Sequence, residues 1–133
     1  MTLRQDGRLR GCVGRISATE PLSEVVPEMT MAAALGDSRF EPLRIDESGI
    51  DIEVSILSPM KLLADPARFR VARDGGYLKL GGLSGLLLPQ VAEDRDWDAS
   101  EFLQALARKA HLTDSVYDDP STRLYVFRAQ VIQ

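Results

Sequence analysis

The chain has one cysteine and one histidine among its 133 residues, Cys12 and His111. A single cysteine excludes an internal disulfide, and this pair supplies too few soft ligands for a zinc site built by the chain alone. Cysteine usage this sparse fits a reducing compartment, so the expected location is the cytoplasm. Long apolar runs are missing too. None approaches the roughly 18 residues of a membrane-spanning helix, and the polar opening "MTLRQDGRLR" does not read as a signal peptide. Nor is there an excess of basic charge: the net charge is −4. Arg4, Arg8, Arg10 and Arg15 against Asp6 leave a local +3 in residues 1–18, so the remainder carries −7. A broad basic face for duplex nucleic acid is excluded by that balance, while a small anion site near the arginines is not.

What is present describes a folded domain. The apolar share of 44% and charged share of 27% are globular values, and the length suits one domain, residues 1–133. "LRQDGRLRGCVGRI" reads as a hairpin turning at Asp6-Gly7, with its second strand running through Cys12 to Ile16. Leu22, Val25, Val26, Met29 and Ala33 recur at helical spacing and predict a helix over residues 21–35, delayed or kinked by Pro27 and stopped by Gly36. Ile50, Ile52, Val54 and Ile56 alternate with polar residues, as in a strand with one buried face. An extended piece is expected at Phe69–Ala72 and a turn at Gly75-Gly76. "YLKL" and "GLLLP" follow as strands, the second buried on both faces. Asp98 and Glu101 open a second helix, residues 99–110, with a capping box. "RLYVFRAQV" closes as one strand. Hairpins interrupt the alternation of strands and helices, so the fold class is α+β with a mixed or antiparallel sheet. The passage strand–helix–strand occurs twice, suggesting two pseudo-repeated halves.

Candidate chemistry centres on "LRGCVG". A nucleophilic thiol needs nearby cations and access. Arg10 and Arg15 are close in sequence, and Gly11 and Gly14 remove side chains that would block a ligand. Cysteine is equally a small buried wall residue, and the residues leave both readings of Cys12 open. Arg10, two positions from Cys12 in a strand, is expected on the same face. His111 is the one side chain of its type that could act as a base for the thiol, although a histidine just past a helix more commonly serves the helix dipole. In "GDSRF", Asp37 and Arg39 fit a local ion pair fixing the turn, or Arg39 could hold a carboxylate or phosphate through its planar fork. The acidic run Glu93, Asp94, Asp96 and Asp98 around Trp97 fits a capped helix entry better than a metal site, and no metal is expected. "GGLSG" lacks the Lys-Ser/Thr and the helix of a phosphate loop.

In this order, "DGRLRGCVG", "AAALGDSRFEPL", "IEVSILS", "LLLPQVAEDRDWD", "FLQALARKA" and "LYVFRAQV" resemble the AMMECR domain family over nearly the whole chain. The resemblance implies an α+β fold of two pseudo-related halves. It also implies a cleft shared by the Arg-Gly-Cys-x-Gly loop and the Asp-x-Arg-Phe turn. Carried onto this chain, that cleft comprises Arg10, Gly11, Cys12, Gly14, Asp37, Arg39 and Phe40, binding a small anionic ligand or a modified group, with Cys12 as the one catalytic candidate. In many prokaryotes members accompany a Memo-type protein and a radical-SAM protein, which implies a shared modification pathway with those partners, or an adaptor role between them. An RNA-modification factor is a weaker alternative. No cofactor or reaction follows from the resemblance, and whether the chain is an enzyme is left open. Family members usually carry a helical segment ahead of the hallmark loop, so this chain is expected to be truncated there, to expose apolar surface and to be open to oligomerisation. "KAHL" stands where the family has Lys-Ala-Gly, which requires His111 either to avoid a left-handed backbone or to bear strain.

Overall fold

The computed structural model describes all 133 residues. The chain forms two compact units, Met1–Ile56 with Gln130–Gln133, and Leu57–Ala129. No helix is long and apolar enough to cross a membrane.

The first unit begins with the hairpin β1 (Thr2–Gln5) and β2 (Arg8–Cys12). Asp6 and Gly7 both take positive φ, 49° and 78°, as a two-residue turn matching the strand twist requires. β2 ends at Cys12 rather than Ile16, so Gly14 lies beyond the strand. Helix α1 (Leu22–Leu35) follows and runs through Pro27, with Val25, Met29 and Ala33 buried. Those three side chains share one stripe, which packs over the hairpin. β3 (Ile50–Leu57) then pairs antiparallel with β1, and β8 (Ala129–Ile132) completes the sheet in the order β2-β1-β3-β8. The expected one-sided burial of β3 is incomplete, because Ile52 is 47% exposed; α1 lies over β1 and β2.

The second unit holds β4 (Lys61–Leu62), β5 (Gly75–Leu80), β6 (Leu83–Leu87) and β7 (Arg123–Phe127), in the order β4-β7-β5-β6. It also holds helices α2 (Gln90–Arg95) and α3 (Ala99–Lys109) and 3-10 turns at Pro66–Arg68 and Asp114–Asp118. Its core gathers Leu78, Phe102, Leu106 and Leu124, with Phe69 stacked on Phe102 at 4.8 Å. Several sequence expectations change here. Phe69–Ala72 leads into a turn with Ala72 at φ 65°. Gly75 and Gly76 lie inside β5 rather than in a turn. A Cβ on Gly75 would meet the Phe127 ring at 2.5 Å, and one on Gly76 would meet Leu106 Cδ2 at 2.6 Å, so these glycines admit close packing. β6 is an edge strand with Gly85 and Leu87 buried and Leu83 exposed, not a strand buried on both faces. The expected single strand "RLYVFRAQV" divides at Arg128, whose amide donates to Ser58 Oγ at 2.9 Å, into β7 and β8 of different sheets. α2 is an element the sequence pattern did not show.

The expected capping box is formed. Asp98 Oδ1 accepts from the Glu101 amide at 2.8 Å, and Glu101 Oε2 accepts from the Asp98 amide at 2.9 Å. His111, just past α3, adopts φ 60°, so of the two outcomes expected for it, it bears the left-handed backbone strain.

The pseudo-repeat is legible in the strand orders. In each unit a hairpin, a helix and a third strand follow one another, and the third strand pairs with the first strand of the hairpin. Gly11 of β2 pairs with Leu3, and Gly85 of β6 pairs with Leu78. Both leucines are fully buried. Both glycines lie under the end of their helix, a built Cβ falling 2.1 Å from Ala33 O and 2.8 Å from the Ala110 amide respectively.

Candidate functional site

Two short segments of the first unit build the candidate site. One is the end of β2, Arg10 to Gly14. The other is the connector after α1, where Asp37 follows Gly36, whose amide closes the helix on Ala32 O at 2.8 Å. Phe40 N–H bonds Asp37 O at 3.0 Å, making a turn, so Asp37 and Arg39 are presented on one short arc.

Asp37 is the centre of the arrangement. Its carboxylate accepts the Cys12 amide at 2.8 Å through Oδ2. It also receives Arg39 side-on, Nε on Oδ1 at 2.9 Å and an Nη2 bond to Oδ2 at 2.7 Å, and the Arg39 amide at 3.2 Å. Arg39 Nη2 reaches on to Cys12 O at 3.2 Å. The two groups differ in exposure: the Asp37 side chain is 6% exposed and that of Arg39 57%. The guanidinium, first of all, holds the Asp37 carboxyl well below the usual carboxylate range; the two amides reinforce this and desolvation opposes it. Asp37 in turn raises Arg39, with Cys12 a smaller contributor. The guanidinium lies 5.6 Å over the Phe40 ring, a cation–π contact that steadies its plane.

Cys12 is half-buried. Its Sγ lies 3.6 Å from Thr2 Oγ1, the residue opposite it on β1. Gly14 is exposed, and no atom lies within 4 Å of where its side chain would be, so the surface beside Cys12 is open on that side.

The remaining predicted site residues have other surroundings. β2 carries a bulge: Leu9 pairs with Arg4 and Gly11 with Leu3, leaving Arg10 without a cross-strand partner. The bulge interrupts the alternation by which Arg10 and Cys12 were expected to share a face. Arg10 instead makes a bidentate pair with Glu47, Nε to Oε2 at 2.9 Å and Nη2 to Oε1 at 2.7 Å, and donates to Glu41 O at 2.8 Å. These bonds hold the segment after α1. Hydrogen bonding to Glu47 raises Arg10, and Arg10 lowers Glu47. Gly11 packs beneath α1 and opens no path to a ligand. His111 follows α3 in the second unit. Among the acidic run, Asp98 caps α3 and Arg95 lies 5.3 Å over the Trp97 ring. Thr2 and Glu47 are the residues that sequence reasoning missed: the bulge sets the register that places Thr2 opposite Cys12, and Glu47 lies 37 positions from Arg10.

A model of the AMMECR1 family matches residues 1–132. The chain is similar to a protein of Methanothermobacter thermautotrophicus, 44% identical over 98% of this chain and 72% of that protein. It is also similar to one of Methanopyrus kandleri, 40% identical over 96% of this chain and 66% of the other. The crystal structure of an uncharacterised Pyrococcus horikoshii protein superposes with a TM-score of 0.90, at 35% identity, covering 98% of this chain and 70% of that one. This chain therefore spans 66 to 72% of the length of these relatives.

Proposed function

The chain belongs to the AMMECR1 family, and on that premise we propose that the Cys12–Asp37–Arg39 cluster binds a small anionic ligand, or the anionic modified group of a partner, in a pathway shared with Memo-type and radical-SAM proteins. The observation that carries the reading is the division of labour in the ion pair. A nearly buried Asp37 holds one edge of the Arg39 guanidinium, and Arg39 stays more than half exposed beside the thiol and the open surface at Gly14. The fork is oriented before any ligand arrives, so less side-chain entropy is lost on binding. Because Asp37 neutralises Arg39, the attraction is directional hydrogen bonding from Nη1 rather than net charge. Carboxylate and phosphate oxygens are the acceptors that suit it.

The geometry favours binding over nucleophilic catalysis. The Cys12 thiol meets Thr2 Oγ1 and the Arg39 guanidinium, neither of which is a general base at neutral pH, so we read Cys12 as a wall of the site. Inorganic phosphate and acetate, each titrated while Cys12 is alkylated by iodoacetamide, test the reading. Saturable protection of Cys12, lost in Arg39→Gln, is expected. An alkylation rate independent of both anions rules the site out.

A further inference from the structure

We propose that the second sheet carries a stacking platform for single-stranded nucleic acid: Tyr77 and Tyr125 each take one base, and Lys79 and Arg123 take the adjoining phosphates. One face of this sheet is closed by α3. A Cβ on Gly76 would meet Leu106, one on Gly85 would meet Ala110, and Leu78 and Leu124 are buried between them. Side chains alternate along a strand, so the residues next to these point to the opposite face.

The pairing of the strands orders that opposite face. Tyr77 of β5 stands opposite Tyr125 of β7, with Leu86 of β6 on one side and Leu62 of β4 on the other. The two rings are 6.1 Å apart and tilted by 32°, so they belong to one surface. Two residues further along, about 6.6 Å, Lys79 stands opposite Arg123, with Ser84 beside it. One row across the sheet is therefore aromatic and apolar, and the next is cationic. Leu62, Lys79, Ser84 and Arg123 are exposed and the two tyrosines part-exposed. The face closes at its other end, where Phe127, opposite Gly75, is buried.

Charge and shape select the occupant. The four strands contain Lys61, Lys79 and Arg123 and no aspartate or glutamate, in a chain whose net charge is −4. Lys79 reaches over the Tyr77 ring, its Nζ 5.9 Å from the centre. Arg123 spends Nη1 on Pro120 O and Thr122 O, at 3.0 Å each, which leaves Nε and Nη2 for a phosphate. Bases stack on aromatic rings whatever their sequence, and a groove of cations beside them tracks the backbone. Aromatics on a four-stranded sheet hold successive bases in this way. A duplex keeps its bases stacked on one another and offers these rings nothing. An apolar protein surface would bury Lys79 and Arg123 without partners.

The test is fluorescence anisotropy of labelled oligo-uridylate and oligo-thymidylate, about ten nucleotides long, titrated with the full chain. Saturable binding of the single strands is expected, with a duplex of the same length bound at least tenfold more weakly. Two phosphate contacts give a slope of log affinity against log salt of about −1.4, and Lys79→Gln should reduce its size by about 0.7. Tyr77→Ala and Tyr125→Ala should each weaken binding about tenfold, whereas Tyr77→Phe, which keeps the ring, should bind as the wild type does. Lys109→Gln makes the same charge change at an exposed position on α3 and should leave the affinity unchanged. Circular dichroism shows which variants are folded; if the alanine variants are not, the exposed Lys79 still decides through its salt slope. No binding of either single strand, equal affinity for the duplex, wild-type affinity in folded Tyr77→Ala and Tyr125→Ala, or a slope unmoved by Lys79→Gln would each overturn the proposal.

Discussion

Replacing Gly11 with alanine adds one methyl group where the backbone of α1 packs directly on β2. The new Cβ would stand 2.1 Å from Ala33 O and 3.1 Å from Ala33 C. A carbon–oxygen contact settles near ~3.3 Å, so the helix must lift by about 1 Å. What stands in the way is backbone, so no side-chain rotation relieves it. Over-packing of this kind costs ~1–3 kcal/mol, occasionally more, and a rigid neighbour places Gly11→Ala near ~3 kcal/mol. At this chain length a loss of that size lowers the melting temperature by roughly 10 °C. The control lies three residues away. Gly14→Ala meets nothing within 4 Å, and neither glycine has a left-handed φ, so this change is expected to stay within about 0.5 kcal/mol. Thermal and denaturant unfolding by circular dichroism compare the two variants. Equal melting temperatures for Gly11→Ala and wild type, or equal damage from both substitutions, would refute the division of roles between the glycines.

Further outcomes follow from the same contacts. Asp37→Asn removes a carboxylate whose folded-state pKa is depressed. Its contribution is present above the ordinary carboxylate range and is lost as pH falls below it. The stability gap between wild type and variant should therefore be constant near neutrality and narrow in acid, which urea melts at several pH values would show. Arg10→Met frees residues 41–47 from β2 and should speed limited proteolysis there while leaving the far-ultraviolet spectrum unchanged. Asp98→Ala removes one side of the capping box and should cost ~1 kcal/mol in urea unfolding.

Much of this fold was legible because the short-range signals agree. The Asp6-Gly7 turn, the α1 stripe, the α3 capping box and the repeated strand–helix–strand passage all needed only neighbouring residues. One group of errors arises because glycine has two uses. At Gly75 and Gly76 the sequence offers the same cue as a turn, but the residues exist to let Phe127 and Leu106 come close. The division of "RLYVFRAQV" depends on Ser58, 70 positions from Arg128, and no local pattern reports it. In the site, Asp37 and Arg39 were readable as an ion pair from their spacing. Arg10 was not, because one bulged residue changes the face presented by everything around it. A two-residue turn without the bulge would set Leu3 against Arg10; the extra residue sets Leu3 against Gly11 instead. That single offset puts glycine beneath α1 and turns Arg10 to Glu47.

The most direct measurement is a nitrogen-15 NMR titration of the full chain with inorganic phosphate, following the Cys12 amide and the Arg39 Nε–H. Both groups touch Asp37, so an anion on the free edge of Arg39 must disturb them together. The expected result is a saturable shift of both signals with one dissociation constant, abolished at the Cys12 amide by Arg39→Gln. Unmoved signals, or a Cys12 shift that survives Arg39→Gln, would contradict the account.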